Sequence, residues 1–185
     1  MAIAQQRMTL EQFLRLPEEK PALEFENGMV TQKVSPQRQH GFLQRGICGL
    51  IDRCGEPAGL AVALPEQRVT FADWSPVPDV AVYRWESIET NAVGDYANDD
   101  TVVPIIVFEI VSPEQNASDQ AAKCRGYVER GVILALVVNH LDKSIGVFAS
   151  GVEPRWLRGD DLVDLGDALP GCGFSAHDVF SALRK

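Results

Sequence analysis

The sequence predicts a mixed α/β fold, a mixed β-sheet flanked by helices, and three adjoining stretches carry this prediction. Residues 104–111 (PIIVFEIV) are a near-continuous apolar run, typical of a strand buried on both faces of a sheet. Residues 115–130 are expected to form a helix that ends at Gly131, a residue suited to a left-handed cap. The apolar run VILALVV leads into a second buried strand at 134–139. We therefore expect two parallel neighbouring strands joined by a crossover helix that packs on one face of the sheet.

The N-terminal part of the chain is expected to hold a short helix, a β-hairpin and a longer helix. Thr9 and Gln12 match a capping box at the start of a helix that stops by Pro17. Asn27-Gly28 between two short alternating segments predicts the hairpin. Residues 37–53 are expected to be helical, and their three glycines either weaken this helix or let another backbone approach it closely.

Further strands are predicted in the middle of the chain. Residues 60–71 (LAVALPEQRVTF) indicate two strands that meet around Pro65, and another strand is expected from Asp79 to Tyr83. Residues 84–103 are polar and rich in turn formers, which predicts a mobile loop. The C-terminal part predicts antiparallel edge strands at 144–150 and 154–159, and a last helix capped by Ser175 with Asp178.

Composition limits the class of protein. A chain of 185 residues with 45% hydrophobic residues is long enough for one domain, 1–185, with a substantial core. A formal net charge of -9 argues against coating nucleic acid by charge alone. The most basic part contains Lys33, Arg38, Arg45 and Arg53, which form either a solvated helix face or a face that contacts phosphate. No signal peptide or membrane span is evident, so we expect a cytoplasmic protein with no membrane partner.

The cysteines and histidines do not form a known metal-binding pattern. The four cysteines, at 48, 54, 124 and 172, include no CxxC pair, and the three histidines, at 40, 140 and 177, fit no zinc motif. We therefore expect free, buried thiols in a reducing compartment and no structural zinc.

Glu109 is the first candidate for chemistry, because it lies inside the apolar strand. On a period of two it shares a face with Ile105, Val107 and Val111. A buried, isolated carboxylate would cost several kcal/mol or take up a proton, so Glu109 needs a cation, an ion-pair partner or water. Lys123 on the following helix is a candidate partner, with Tyr127 one turn further along the same face.

Asp79, Glu109 and Lys123 are residue types that phosphodiester chemistry requires, but their spacing alone is a weak signal. Carboxylates projecting from adjacent strands can bind Mg²⁺ or Mn²⁺, and at least one of two close carboxylates is expected to have a raised pKa. A bound divalent ion acidifies a water molecule, and a nearby ammonium group can orient that water or the phosphate. Ion pairs with a purely structural role can also bring two acids and a lysine together. Glu24 is either an additional functional acid or part of a solvated strand face.

Four segments of the chain resemble, in the same order, the successive blocks of a bacterial family common in cyanobacteria. They are MTLEQFLRLPEEKPALEFENGMV, SPQRQH, SPVPDVAVY and VFEIVSPEQNASDQAAKCRGYVERGV. The family is that of the Uma-type endonucleases, formerly a domain of unknown function. It belongs to the PD-(D/E)XK nuclease superfamily, so the resemblance implies the restriction-endonuclease-like fold.

The resemblance also implies a set of site residues. Pro78-Asp79 matches the PD pair, and Glu109 matches the acidic residue of the E-V-x-S-P block. Val111 stands where the superfamily usually has its lysine, and Lys123 matches the lysine that this family carries on the following helix instead. The further matches are Tyr127, Arg130-Gly131, the acid Glu24 and the histidine His40. The sequence departs from the family pattern at Met29, at 133–135 and at Asn139.

The expected function is that of a metal-dependent endonuclease that hydrolyses DNA phosphodiester bonds with Mg²⁺ or Mn²⁺. Asp79 and Glu109 would be the metal ligands, Lys123 the catalytic lysine, and Glu24, His40 and Tyr127 supporting residues. The main alternative is a catalytically silent or regulatory member that acts as a protein-binding module, which the acidic charge favours. A small-molecule enzyme is a third option, although no GxGxxG or Walker motif indicates an organic cofactor. A homodimer, formed in part by the VILALVV strand, is also expected.

Overall fold

The computed structural model describes residues 7–57, 59–112 and 115–185, which form four α-helices and eleven β-strands. In chain order these are α1 (Leu10–Leu14), β1 (Leu23–Glu26), β2 (Met29–Gln32), α2 (Arg38–Gly55), β3 (Ala61–Pro65), β4 (Trp74–Ser75), β5 (Val80–Arg84), β6 (Ile106–Ile110), α3 (Ala117–Glu129), β7 (Leu134–Asn139), β8 (Ser144–Ala149), β9 (Val152–Arg158), β10 (Leu162–Asp164), β11 (Gly173–Ser175) and α4 (Ala176–Ser181). Two 3₁₀ turns, at Trp85–Ser87 and Gly166–Ala168, complete the set.

A six-stranded mixed sheet forms the centre of the protein. Its strand order is β3-β5-β6-β7-β8-β9. The β6–β7 pair is parallel, and every other pair in this sheet is antiparallel. The prediction that residues 104–111 and 134–139 form parallel neighbours is therefore confirmed. The fold is a mixed sheet flanked by helices, as the sequence predicted.

Helices cover the sheet on both faces, because alternate residues of its strands are apolar on either side. On one face, Ile106, Phe108 and Ile110 of β6 share a core with apolar residues of α2 and α4. On the other face, Val107 packs in a second cluster with Cys124 and Tyr127 of α3. Glu109 belongs to this second face by the period of the strand.

A small sheet of order β2-β1-β4 stands beside the central sheet and is made by the predicted hairpin. Asn27 and Gly28 both have positive φ, at 49° and 89°, as the tight turn requires. The predicted capping box of Thr9 and Gln12 begins α1, and Phe13 of that helix stacks on Phe25 of β1. The second predicted capping box, of Ser175 with Asp178, begins α4.

Several details of the sequence prediction are wrong. Residues 66–71 form no strand, because Glu66 has a positive φ of 51° and turns the chain out of the β3 direction. Ile105 precedes β6 and packs with the opposite core cluster, so it does not share a face with Glu109. Strand β8 is an interior strand, and β9 is the edge. Strand β7 lies between β6 and β8, so its apolar residues are covered within the chain and are not free to build a dimer.

The expectation that all four thiols are free is also wrong. Cys54, in the last turn of α2, forms a disulfide with Cys172, just before β11, with a Cα–Cα separation of 5.9 Å. Both cysteines border the core shared by α2 and the C-terminal segment. Cys48 and Cys124 are free thiols.

Within the described part of the chain, no helix combines the length and the apolar character needed to cross a membrane.

The glycines of α2 yield a first prediction. A Cβ added at Gly46 would lie 2.6 Å from the Cβ of Ala182, whereas one added at Gly49 would meet nothing within 4 Å. Gly46→Ala should therefore force α2 and α4 apart and lower the free energy of unfolding by about 1–3 kcal/mol. Gly49→Ala, the matched control, should raise it by about 0.5–1 kcal/mol through helix propensity. Urea denaturation of both variants checks this, and equal effects at the two positions would contradict it.

Candidate functional site

Strand pairing brings Asp79 and Glu109 together. In the antiparallel β5–β6 ladder, Val80 pairs with Phe108 and Ala81 with Val107, so the next position along places Asp79 opposite Glu109. The Oδ2 atom of Asp79 accepts a hydrogen bond of 2.7 Å from the backbone N–H of Ile110. Both carboxyl side chains are buried, with residue exposures of 2% each. Two like charges directly opposite each other are destabilising, so each needs a partner.

Asp79 finds its partners on the hairpin and on α2. Lys33, just after β2, donates to Oδ1 of Asp79 over 2.7 Å, and Nε2 of His40 in α2 lies 3.2 Å from the same oxygen. Gln44, one turn further along α2, donates to the Asp79 backbone carbonyl over 3.1 Å. Lys33 also donates to the carbonyl of Val77 over 2.8 Å. The hairpin and α2 together thus fix the position of the Asp79 carboxylate.

Glu109 finds its partners on α3. The Nζ atom of Lys123 lies 2.9 Å from Oε1 of Glu109, and the Tyr127 hydroxyl donates to that oxygen over 2.8 Å. Lys123 also donates to Oε1 of Glu24 over 2.8 Å, and the same Glu24 oxygen accepts from the backbone N–H of Val77 over 2.7 Å. Lys123 therefore bridges the carboxylates of Glu24 and Glu109.

The pKa values of the carboxyl groups differ in direction. Burial raises the pKa of Glu109 to about 7; Lys123 opposes this shift, and the Asp79 carboxylate adds to it. Burial would also raise the pKa of Asp79, but Lys33 and His40 outweigh it and hold that pKa well below its usual range. The expectation of one raised carboxyl pKa is confirmed, with burial as the larger cause.

Lys123 and Tyr127, the two partners of Glu109 on α3, keep their protons at neutral pH. Burial alone would lower the pKa of Lys123, but Glu109 and Glu24 outweigh it and raise the pKa above its ordinary value. Burial and the Glu109 carboxylate raise the pKa of Tyr127 well above its ordinary value. At neutral pH both side chains are hydrogen-bond donors to Glu109.

The structure brings all six candidate residues into one cluster: Glu24, His40, Asp79, Glu109, Lys123 and Tyr127. Sequence analysis missed two members. The sequence places Lys33 only in a basic stretch, as part of a solvated face or of a face that contacts phosphate, and carries no signal for Gln44. Lys33 lies 46 positions from Asp79, so only its place directly after the predicted hairpin offered a signal.

The oxygen donors of the cluster suit a divalent metal ion that keeps part of its water shell. Among the described residues, no three His, Cys, Asp or Glu side chains gather as a preformed metal site. Mg²⁺, however, uses one or two carboxylates and completes its shell with waters and substrate phosphates. Asp79 and Glu109 supply two such carboxylates, and the Tyr127 hydroxyl and the Lys123 ammonium both contact Oε1 of Glu109. The donor set therefore fits Mg²⁺ or Mn²⁺ in kind.

Comparison with known proteins identifies the class and then the family. The central mixed sheet with its flanking helices is a restriction-endonuclease-like fold. The family described as "Uma2: Putative restriction endonuclease" matches residues 10–177. The chain belongs to this family.

Two solved structures are similar to the chain. The first is described as "Crystal structure of a putative nuclease belonging to DUF820 from Anabaena variabilis ATCC 29413"; it is 30% identical, covers 96% of this chain and 99% of its own, and has a TM-score of 0.89. The second, a DrdV–DNA complex, is 12% identical and covers 71% of this chain and 88% of its own. Its TM-score of 0.32 is too low to bear on the fold. No curated protein matches the sequence.

The raised pKa of Glu109 yields a second prediction. Below about pH 4.5 this residue is protonated in both the folded and the unfolded chain. Between there and about pH 7 only the folded chain keeps the proton, so the stability that Glu109 contributes is lost as the pH rises through 7. The titration of Asp79 lies below this window, because its pKa is lowered.

The unfolding free energy of the parent minus that of Glu109→Gln should therefore fall between pH 4.5 and 7.5, by on the order of 3 kcal/mol. Urea denaturation at several pH values measures it. Glu26→Gln, which alters an exposed acid two residues from Glu24, is the control and should show no such slope. A pH-independent difference for Glu109→Gln would refute the assignment.

Proposed function

We propose that the protein is a metal-dependent endonuclease that hydrolyses DNA phosphodiester bonds. The observation that carries this proposal is the placement of Asp79 opposite Glu109 across β5 and β6, with the Lys123 ammonium 2.9 Å from Glu109. Membership of a family described as restriction endonucleases supports it, as does the similarity to a structure described as a nuclease.

Asp79 and Glu109 would hold Mg²⁺ or Mn²⁺ in this proposal. The bound ion would lower the pKa of a water molecule and stabilise negative charge on the phosphate. Lys123 would orient the attacking water or the phosphate through its ammonium group. Tyr127 would keep the Glu109 carboxylate in place by its hydrogen bond, and Glu24 would do the same for Lys123.

The charges of the cluster show what metal binding would change. Three acids (Glu24, Asp79, Glu109) face two ammonium groups (Lys33, Lys123). A bound divalent cation would add two positive charges to this cluster and favour an approaching phosphate. Lys33 contacts Oδ1 of Asp79 through a flexible side chain, so its ammonium group could turn to a phosphate oxygen if a metal were held by that carboxylate.

A protein-binding member without activity is the second candidate. Two observations favour it. A lysine neutralises each of the two buried carboxylates. Among the described residues, no three possible ligands form a preformed metal site. Such a cluster can be a purely structural ion-pair network. In that case Mn²⁺ would neither bind at Asp79 and Glu109 nor support cleavage.

A homodimer in the cytoplasm, acting on duplex DNA, belongs to the same proposal. Because β7 is covered within the chain, such a dimer would have to use another surface. Analytical ultracentrifugation over a range of protein concentrations tests it, and a monomer throughout would reject it.

Cleavage assays test the main proposal. Supercoiled and single-stranded DNA should be cut with Mg²⁺ or Mn²⁺ and not with EDTA. Asp79→Asn and Glu109→Gln should each lower the rate by about 10²-fold or more and weaken Mn²⁺ binding in calorimetry. Lys123→Met should lose turnover while keeping Mn²⁺ binding.

Glu26→Gln, the matched exposed acid, should leave both the rate and Mn²⁺ binding unchanged. Circular dichroism checks that each variant is folded. Cleavage that persists in Asp79→Asn, or Mn²⁺ affinity that is equal in Glu109→Gln and the parent, would contradict the proposal.

A further inference from the structure

A cavity of about 170 Å³ lies on the same sheet face as the carboxylate cluster, at its other end. Val62 and Leu64 of β3 and Tyr83 of β5 form its floor, and the segment 84–103 forms its walls. Register places Tyr83 on the face of Ala81, which pairs with Val107 of the α3-covered face. Helix α3 covers one part of this face, and the 84–103 segment covers the other.

Three aromatic side chains give the cavity its character. Tyr83 lies at the floor, while Trp85 and Tyr96 line the walls with their ring centroids 5.9 Å apart and their planes tilted by 41°. Tyr96 is 64% exposed, which is unusual for a large aromatic ring that merely covers a core. The Thr90–Tyr96 β-bridge fixes the backbone from which the ring projects.

The turn before Tyr96 is built locally. The side chain of Asn91 accepts hydrogen bonds from the backbone N–H groups of Val93 and Asp95, both at 3.0 Å. At its other end the segment is tied to the rest of the protein, because Thr70 donates to the backbone and side chain of Asp100. The aromatic wall is therefore a formed surface.

The polar rim of the cavity selects against anions. Gln67 and Asn98 bring amide groups, and Glu89 and Asp99 bring carboxylates. Among the described residues that line the cavity, none is Lys or Arg. A phosphate would be repelled here, whereas a neutral planar ring with N–H donors would find stacking surfaces and hydrogen-bond acceptors.

The size of the cavity sets the size of the ligand. Pockets for drug-sized ligands measure roughly 300–1,000 Å³, so this one suits a single ring system. Asp79 and Tyr83 lie four residues apart along β5 and its lead-in, a distance of about 13 Å. A strand whose phosphate reached the carboxylates would bring a neighbouring base to the aromatic cavity.

We propose that this cavity binds one unpaired nucleobase of the nucleic-acid strand. The proposal rests on the nuclease function proposed above and names a substrate feature, namely an unstacked base next to the scissile phosphate. Tyr96 and Trp85 stack on the base, and Glu89 or Asp99 accepts from an exocyclic amino group. Adenine, cytosine and guanine carry such a group, so they bind more tightly than thymine.

A fluorescent base tests the proposal without cleavage. Single-stranded oligodeoxynucleotides, each with one 2-aminopurine at a different position, are titrated into the protein in EDTA, beside free 2-aminopurine deoxyriboside. Stacking in the cavity should quench the emission at one or two positions of the strand and weakly for the free nucleoside. Tyr96→Ala should remove this quenching and weaken binding by about 5- to 100-fold.

Two matched variants control the experiment. Tyr96→Phe keeps the ring and should retain the quenching. Val93→Ala alters a residue of the same turn that does not line the cavity and should behave as the parent. A thymine-only strand should bind more weakly than an adenine or cytosine strand of equal length, and this preference should vanish in Tyr96→Ala.

Each outcome separates the two proposals. If the parent cleaves DNA but shows no position-specific quenching, or if Tyr96→Ala quenches as the parent does, the base site is refuted and the nuclease function stands. If no metal-dependent cleavage is found but the quenching depends on Tyr96, the nuclease function fails and the nucleobase site stands. Quenching by the free nucleoside alone would identify a mononucleoside site and refute binding of a strand.

Discussion

The burial of two acids, Asp79 and Glu109, opposite each other is the constraint on which the arrangement of the other elements depends. Both carboxylates are buried and face each other across two strands. The hairpin brings Lys33 to Asp79, and α3 brings Lys123 to Glu109. A buried ion pair seldom stabilises a fold more than an apolar pair of equal volume, so the need to neutralise these acids does not by itself make the cluster a source of stability.

The hairpin is the element that joins the halves of the cluster. Glu24 accepts from the N–H of Val77, and Lys33 donates to the carbonyl of the same residue. Val77 is thereby held on both sides, two residues before Asp79. At the start of β5, the N–H of Ile110 bonds the Asp79 side chain. The β5–β6 ladder thus ends in a side-chain contact, and the acids lie at this end of the sheet.

The parts that could be predicted from the sequence are those with local or periodic signals. Asn27-Gly28 favours a tight turn, two capping boxes mark helix starts, and the short apolar runs at 104–111 and 134–139, rich in β-branched residues, favour buried strands. The resemblance to the family identified the candidate residues, but not their contacts. Partners that are distant in sequence were missed: Lys33 beside Asp79, and Cys172 beside Cys54 at a separation of 118 residues. Such pairs depend on how elements pack, which no local pattern encodes.

The net charge of -9 constrains how this chain could hold nucleic acid. A protein that binds by neutralising phosphates needs a surplus of Lys and Arg, and here two of the lysines are already paired with buried acids. Affinity must then come from contacts that do not need net positive charge, such as a phosphate joined to carboxylates through a divalent ion and a base stacked on an aromatic ring. In the two proposals above, the carboxylate cluster and the aromatic cavity would supply these two kinds of contact on one sheet face. An acidic net charge and a nucleic-acid substrate are therefore compatible in this fold.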